Sequence, residues 1–361
     1  MSDSPATSAD PEGIDVDGWT AGLRAGQHRP ANHVERLVNA VLAGTVDLDA
    51  FGRWLVALAD AGESAEEIAG VAAALRGRML PVRHGLPLVA DTCGTGGDGS
   101  GSFNISTAAG LVVAAAGQPV AKHGNRAVSS RTGSADVLEH LGVTVDASPD
   151  LSGRCLGELG ICFCLAPVHH PAMARVGPLR RGLGRPTVFN LVGPLCNPAA
   201  AGVQVIGVGR PAAREPLAAA ARLLGARRAV VVSGHVGSDA VRAFDEVSLF
   251  GPTDVIDVTP DGSRRFAWTP EDFGLSTLPP QALADLEVAG PSDSAAAIRA
   301  VLGGERGPRR DVVVLNAAAV LWAAGRAADE RAARVLAEQA LDSGAAAALL
   351  AGFAALSHAA A

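Results

Sequence analysis

A glycine-rich stretch between residues 91 and 107 combines the residue types that bind phosphate. It reads Asp91-Thr-Cys-Gly-Thr-Gly-Gly-Asp-Gly-Ser-Gly-Ser-Phe-Asn-Ile-Ser-Thr107 and contains five glycines in eight residues. Glycine permits positive φ and close approach of the backbone to a ligand. Successive N–H groups in such a turn form a concave anion site, and a helix predicted over 106–116 adds the positive end of its dipole. The stretch therefore predicts a phosphate site built largely from backbone.

The neighbouring residues favour a diphosphate over a dinucleotide. Gly94, Gly96 and Gly99 match G-x-G-x-x-G, but that fingerprint requires a carboxylate about 20 residues further on. No carboxylate occurs between Asp98 and Asp136. The interval instead contains the basic residues Lys122, His123, Arg126 and Arg131. A P-loop is also excluded, because no Gly-Lys-Ser/Thr follows the glycines.

Two polar segments near the glycines have both a structural and a ligand-binding interpretation. Asn104-Ile-Ser-Thr107 begins the predicted helix, so its polar side chains can cap the helix, contact phosphate oxygens, or do both. Lys122-His-Gly-Asn-Arg126 follows a predicted strand and precedes small or hydroxylated residues up to Ser134. It is either a solvated basic turn or, as we favour, a second phosphate-binding loop.

Further motifs follow along the chain and carry a family resemblance. They are Ser129-Ser130, Gly133-Ser-Ala-Asp136, His170-Pro-Ala-Met173, Phe189-Asn190 and Asp245-Glu246. With Gly94-Thr-Gly-Gly-Asp98 and the two segments above, the chain resembles the anthranilate phosphoribosyltransferase family from about residue 33 to the C-terminus. The family's reaction transfers the 5-phosphoribosyl group of phosphoribosyl diphosphate to the anthranilate amine and releases diphosphate, within tryptophan biosynthesis. The resemblance also implies a Mg²⁺ cofactor and a homodimer.

The resemblance assigns roles to individual residues. Phosphoribosyl diphosphate is expected at Gly94, Gly97, Asp98, Ser102, Asn104, Ile105, Ser106, Thr107, Lys122, His123, Gly124, Asn125, Arg126, Ser129, Ser130 and Ser134. Anthranilate is expected at Gly94, His123, Asn125, His170 and Arg180, with Arg180 meeting its carboxylate. The expected metal-binding residues are Ser106, Asp245 and Glu246, and the catalytic residues are Lys122 and Asp98.

The segment before the acidic pair departs from the family pattern. The family has a short His-Gly and then Gly-Leu-Asp-Glu, whereas this chain reads Ser233-Gly-His-Val-Gly-Ser-Asp-Ala-Val-Arg-Ala-Phe-Asp-Glu246. The connection is several residues longer, and Asp239 is a rival metal ligand. On spacing alone, Asp245 and Glu246 would form a solvated turn, and Arg180 would belong to a basic helix face.

Three alternative functions stay open at this point. One is a family member with a different aromatic acceptor, and another is a pyrimidine nucleoside phosphorylase of the same fold. The third is a nucleic-acid-binding paralogue without transferase activity, against which the net charge of −7 argues. No apolar run reaches the 18 residues of a membrane span, and the N-terminus lacks a signal pattern. The five cysteines form no C-x-x-C pair, so we expect a cytoplasmic protein with reduced thiols.

The apolar pattern predicts an α/β fold with a mostly parallel sheet flanked by helices, plus a small helical domain, as in nucleoside phosphorylase-like phosphoribosyltransferases. Predicted strands lie at 86–90, 119–122, 162–165, 203–208, 229–233 and 312–315. We predict a disordered tail over 1–18 and a helical domain over 19–85, to which about 170–195 returns. The α/β domain that binds phosphoribosyl diphosphate is predicted over 86–361, with a hairpin or irregular element at 252–280.

Overall fold

The computed structural model describes residues 13–127, 131–237 and 239–359, with 239–242 described for their backbone. The helices are α1 Val16–Arg24, α2 Ala31–Ala43, α3 Leu48–Ala61, α4 Ala65–Arg76, α5 Ile105–Ala115, α6 Ser134–His140, α7 Pro149–Leu159, α8 Ala166–His169, α9 Gly177–Leu183, α10 Phe189–Val192, α11 Arg214–Leu223, α12 Pro291–Leu302, α13 Pro308–Ala323, α14 Glu330–Asp342 and α15 Ala345–Ser357. The strands are β1 Ala90–Gly94, β2 Val120–Gly124, β3 Ile161–Leu165, β4 Val203–Gly207, β5 Arg228–Val236, β6 Asp239–Phe244, β7 Thr253–Thr259 and β8 Gly262–Trp268.

The strands form one mixed sheet in the order β3-β2-β1-β4-β5-β7-β8, with β6 paired to β5. The pairs from β3 to β5 are parallel, and β7 and β8 continue the sheet as an antiparallel hairpin. The predicted fold class is therefore confirmed, and so is a hairpin within 252–280. Because β1, β2 and β3 are parallel neighbours, the residues at their carboxyl ends share one edge of the sheet.

Alternating side chains of the strands bury both faces of the sheet. Val205 of β4 belongs to the hydrophobic cluster that includes α5 and α13, whereas its neighbour Ile206 belongs to the cluster that includes α4 and α11. The N-terminal helices therefore pack on one face of the sheet through α4 and α11. The division into two domains between residues 85 and 86 stays a prediction.

The N-terminal region is helical, as predicted, but it begins earlier than expected. The Asp15 side chain caps α1 by accepting a hydrogen bond from the N–H of Gly18 at 2.8 Å, so the predicted tail boundary at residue 18 is wrong. Residues 1–12 lie outside the described part of the chain. The predicted capping box at α4 is present, with the Ser64 N–H donating to Glu67 Oε2 at 3.0 Å. Buried residues between 176 and 196 lie in the same hydrophobic cluster as α2, α3 and α4, while the assignment of about 170–195 to a helical domain stays a prediction.

Two strand predictions are wrong. The first strand begins at Ala90 rather than Leu86, because Pro87 has no N–H for a sheet ladder. Residues 312–315 lie inside α13. Their four apolar residues could not be distinguished from a segment of buried helix, since α13 is buried on nearly every side.

Within the described ranges, no single helix is long and apolar enough to cross a membrane. Taken together, α14 and α15 pass the same test of length and composition, but they are bent by 64°.

Candidate active site

The glycine loop joins β1 to α5 and needs its glycines for their backbone conformation. Gly96, Gly97, Gly99 and Gly101 have φ between 68° and 83°, where a side chain is strained. Asp98 holds the turn by accepting from the N–H of Ser100 at 3.0 Å. The predicted phosphate loop therefore has the conformation that a backbone anion site requires.

The acidic pair reaches this loop from a distant part of the sequence. The N–H of Gly96 donates to Asp245 Oδ2 at 2.9 Å, and the N–H of Ser106 donates to Glu246 Oε1 at 3.2 Å. A Cβ on Gly94 would collide with the Asp245 carboxylate. The sequence predicted this pairing only through the family resemblance.

The longer connection before the pair folds as a β-hairpin. Residues of β6 run antiparallel to β5, with Gly234 opposite Phe244 and a register shift at residues 235 and 236. The hairpin takes up the additional length, so Asp245 still lies against the glycine loop. The side chain of Asp239, the rival ligand, lies outside the described side chains.

The electrostatics of this cluster favour a bound cation. Burial raises the pKa of Asp245 well above its ordinary value, and repulsion from Asp98 and Glu246 adds to the effect. Burial also raises the pKa of Glu246 to about 8, although Lys122 partly opposes this. A divalent cation would relieve the repulsion between these carboxylates.

The protein ligands alone do not complete a metal site. Among the described residues, no group of three or more His, Cys, Asp and Glu side chains is arranged to hold a metal ion. Mg²⁺ commonly binds through one or two carboxylates together with water and substrate phosphates. The pair Asp245 and Glu246 fits that pattern, with the remaining oxygens supplied from outside the protein.

Strand β2 directs its last side chains to opposite faces of the sheet. The buried Lys122 Nζ donates to Thr92 O at 2.7 Å and to Ser106 Oγ at 3.1 Å, which brings its charge to the start of α5. The next residue, His123, contacts the carbonyl oxygen of Gly193 through Nδ1 at 3.0 Å on the other face. Adjacent residues of one strand therefore place the Lys122 ammonium beside the glycine loop and the His123 imidazole against the segment 170–195.

His123 and His170 form a buried pair of neutral rings. Their ring centroids are 5.2 Å apart, and burial lowers the pKa of each to about 4. A carbonyl oxygen only accepts, so Nδ1 of His123 carries the proton towards Gly193, and Nε2 of His170 carries it towards Cys196 O at 3.1 Å. His123 Nε2 and His170 Nδ1 are then buried acceptors without a partner among the described residues.

Arg180 contacts α10, the short helix that precedes the Gly193 carbonyl. Its guanidinium stacks on the Phe189 ring at 5.0 Å, and α10 is followed by the Gly193 carbonyl that holds His123. Burial lowers the pKa of Arg180. None of the carboxylates in the described part of the chain forms an ion pair with it, whereas the nearby Arg185 is paired with Asp60.

The described residues on either side of the second predicted loop, 125–127 and 131–134, follow β2 and approach each other. Ser134 Oγ donates to the carbonyl oxygen of Asn125 at 3.4 Å, and a Cβ on Gly124 would collide with Ser134 Oγ. The Arg126 guanidinium is exposed and paired with Glu139 at 2.6 Å, and also with Asp136, so its charge is directed to α6 in this conformation. The predicted residues Ser129 and Ser130 lie outside the described residues.

The start of α5 differs from the capping interpretation. Asn104 makes no side-chain cap, and its Oδ1 accepts instead from Ser294 Oγ of α12 at 2.8 Å. The side chains of Ile105 and Thr107 are buried in the core. Ser102 forms an isolated β-bridge with Glu287, while Ser106 is half-buried beside Lys122.

Sequence reasoning missed a buried network that supports β2. Asn197 Nδ2 donates to Asp91 Oδ2 and to the Ala121 carbonyl, both at 2.8 Å. The N–H of His123 donates to the same Asp91 carboxylate at 3.4 Å. The predicted strand ended at residue 90, so no sequence signal indicated that Asp91 lies buried in β1 or that it meets Asn197.

The fold and the glycine-loop site define the class of protein. The protein-family model described as "Glycosyl transferase family, a/b domain" matches residues 86–347 of the sequence, which include the glycine loop, the histidine pair and the acidic pair. The chain is a glycosyltransferase of this α/β type.

Comparison with individual proteins identifies the family within this class. The chain is 48% identical over 326 residues to anthranilate phosphoribosyltransferase from Moorella thermoacetica, which covers 90% of this chain and 94% of the relative. The crystal structure of anthranilate phosphoribosyltransferase from Thermus thermophilus matches with a TM-score of 0.85 at 42% identity, covering 94% of this chain and 99% of that one. The structure of the Saccharomyces cerevisiae enzyme in complex with PRPP and Mg matches with a TM-score of 0.83 at 27% identity, covering 95% of this chain and 97% of that one. The chain belongs to the anthranilate phosphoribosyltransferase family.

Proposed function

We propose that this protein transfers the 5-phosphoribosyl group of phosphoribosyl diphosphate to the amine of anthranilate and releases diphosphate, a step of tryptophan biosynthesis. The observation that carries the proposal is the contact between the acidic pair and the glycine loop. The N–H groups of Gly96 and Ser106 donate to Asp245 and Glu246 at 2.9 and 3.2 Å. Two carboxylates therefore lie beside a backbone phosphate site, which is the combination that a diphosphate substrate with its metal requires.

The diphosphate binds to the glycine loop and the start of α5. Gly94, Gly97, Asp98, Ser102 and the backbone of residues 104–107 line its site, because the side chains of Ile105 and Thr107 are buried. The loop after β2 contributes Gly124, Asn125 and Ser134, together with Arg126 once it leaves Glu139. The family resemblance adds Ser129 and Ser130. Lys122 is the buried cation of this region. Its ammonium uses two of its three N–H donors within the protein, so one donor is available to the departing charge.

Asp245 and Glu246 hold Mg²⁺ with the help of Ser106, and the bound ion neutralises charge on the diphosphate. The crowding of these carboxylates with Asp98, reflected in the raised pKa of Asp245, supports this assignment.

The acceptor lies at the other side of β2. His123 Nε2 and His170 Nδ1 are bare acceptors that suit the two N–H groups of an arylamine. The Arg180 guanidinium, which lacks a carboxylate partner in the described residues, donates to the acceptor carboxylate. Gly94 and Asn125 complete this side. The site thereby separates an anionic substrate, held by backbone and metal, from an aromatic acid held by neutral rings and one guanidinium.

The chemistry then depends on placement rather than on a protein nucleophile. The anthranilate nitrogen attacks C1′ as the bond to diphosphate breaks, and Lys122 with the loop N–H groups stabilises the negative charge that leaves. The nitrogen, positively charged after the attack, then loses one proton to water or to the released diphosphate. No general base is required at the start, because an arylamine is already uncharged at neutral pH.

We also propose that the protein acts as a homodimer, which light scattering on the purified protein would measure directly. The function itself is tested by incubating the protein with phosphoribosyl diphosphate, Mg²⁺ and a panel of aromatic amines. Phosphoribosylation of anthranilate with diphosphate release is expected. Turnover only with an amine that lacks the carboxylate would keep the transferase class and refute anthranilate as the acceptor.

A further inference from the structure

Asn316 makes an unusual set of buried contacts with the residue that follows the acidic pair. Its Oδ1 accepts from the N–H of Val247 at 2.9 Å, and its Nδ2 donates to the carbonyl oxygen of Val247 at 3.1 Å. The same Nδ2 also donates to the Val312 carbonyl, one turn earlier in α13, at 2.9 Å. Both polar groups of one backbone residue are thus satisfied by a single amide that is itself anchored to its helix.

The segment that carries the acidic pair needs such an anchor. In the described residues, β6 pairs with β5 alone, and the pairing reaches only to Phe244. Asp245 and Glu246 follow the last paired residue, so the sheet ladder does not fix them directly. Val247 is buried, and its contacts with Asn316 hold the backbone immediately after the pair.

The anchor is packed against the helix that follows the glycine loop. Asn316 lies on α13, which packs along α5, and α5 begins at the loop and presents the Ser106 N–H to Glu246 at 3.2 Å. The Gly96 and Ser106 N–H groups therefore hold the two carboxylates, the Asp245 N–H contacts Asp98 Oδ2 at 3.5 Å, and Asn316 holds the backbone that follows the pair. Asn316 makes no contact with Asp245 or Glu246 in the described hydrogen bonds.

We propose that Asn316 is a positioning residue that fixes Asp245 and Glu246 in the orientation needed to bind Mg²⁺ with phosphoribosyl diphosphate. The inference rests on the proposed function. It assigns Asn316 a role in metal-assisted substrate binding and none in the binding of anthranilate. Loss of the amide would leave the carboxylates present but free to turn away from the glycine loop.

The test uses two variants and a control of matched type. Asn316→Leu has a similar volume and no amide, and Asn316→Ala leaves space for a water to satisfy Val247, so that folding is preserved if the leucine is not tolerated. Val314→Ala is the control. It shortens another buried side chain of α13 on the opposite side of the helix, since successive residues turn by about 100°.

Calorimetry measures the Kd for phosphoribosyl diphosphate in excess Mg²⁺ and in EDTA, and the Kd for anthranilate separately. Each Asn316 variant is expected to raise the Kd in Mg²⁺ by about tenfold, the factor for one net hydrogen bond. The Kd values in EDTA and for anthranilate should stay near those of the wild type. Val314→Ala should lower the melting temperature and leave all three constants unchanged.

The outcomes separate this inference from the proposed function. Wild-type binding in Mg²⁺ by both Asn316 variants would overturn it, because the amide would then serve stability alone. An equal loss in Mg²⁺ and in EDTA, or the same loss in Val314→Ala, would also overturn it. A wild-type protein that fails to bind phosphoribosyl diphosphate would overturn the proposed function itself.

Discussion

Replacing Arg180 by Ala is the most direct test of how the acceptor is recognised. The guanidinium is half-buried, stacks on Phe189 at 5.0 Å, and has no carboxylate partner among the described residues. Anthranilate offers an amine that reacts and a carboxylate that does not. Arg180→Ala should therefore weaken binding of the carboxylate while leaving the phosphate loop intact.

The size of the effect follows from the type of contact. A hydrogen bond to a charged group contributes about 1.5–3 kcal/mol, which corresponds to roughly 10- to 150-fold in affinity. The KM for anthranilate should rise by that factor, and the KM for phosphoribosyl diphosphate should stay nearly unchanged. The fold should tolerate the change, because the lost stacking on Phe189 is worth only about 0.5–1 kcal/mol at a partly exposed site.

The neighbouring arginine provides the control. Arg181 lies on the same helix and is exposed, so Arg181→Ala removes an equal charge without touching the proposed acceptor site. Initial-rate assays with anthranilate and with aniline should show that the wild type and Arg181→Ala strongly prefer anthranilate. Arg180→Ala should lose much of that preference. An unchanged KM for anthranilate in Arg180→Ala, or an equal rise in Arg181→Ala, would refute the assignment.

Three further predictions concern the metal, the glycine contacts and pH. The double variant Asp245→Asn with Glu246→Gln should fold normally by circular dichroism and show no turnover. The wild type should likewise show no turnover in EDTA. Full activity of the double variant would show that other residues bind the metal. Gly207→Ala places a Cβ against the Asp245 carbonyl oxygen, so the KM for phosphoribosyl diphosphate should rise strongly, and an unchanged KM would show that the acidic segment can shift without loss. His170 has a pKa of about 4 in the folded protein and 6.5 ordinarily. As pH falls, the unfolded chain therefore binds the proton before the folded protein does, so the free energy of unfolding decreases between pH 6.5 and pH 4. Between pH 7 and pH 5, urea unfolding should show that His170→Gln loses about 2 kcal/mol less than the wild type, and equal losses would contradict a buried neutral ring.

Local sequence features were sufficient for the parts of the site that are continuous in the chain. The glycines at 96–101 occupy a turn with positive φ, and residues 105–115 then form a helix, so a phosphate loop could be predicted without any tertiary information. The segment 122–126 was predicted to follow a strand, and its first three residues are the last residues of β2. In both cases the backbone conformation depends on residues a few positions apart.

Apolar pattern alone was less reliable in the buried interior. Residues 312–315 were predicted as a strand because four apolar residues are compatible with either structure, and only their packing inside α13 decides between them. The first strand was displaced by four residues, because Pro87 has no N–H for a sheet ladder and because a strand through Asp91 was not expected. Asp91 is polar and was an unfavourable strand residue until Asn197 satisfied its carboxylate.

The sequence by itself determined the phosphate loop, the α/β class and the candidate residues, because each depends on local conformation or on a recognisable motif. Only the tertiary structure decided which of these residues meet. It brought Asp245 to Gly96 across a β-hairpin longer than the family pattern, paired the His123 and His170 rings, and turned Arg126 towards α6. These contacts join residues far apart in sequence, and their geometry is set by the sheet order and by buried amides such as those of Asn197 and Asn316, which no local pattern encodes.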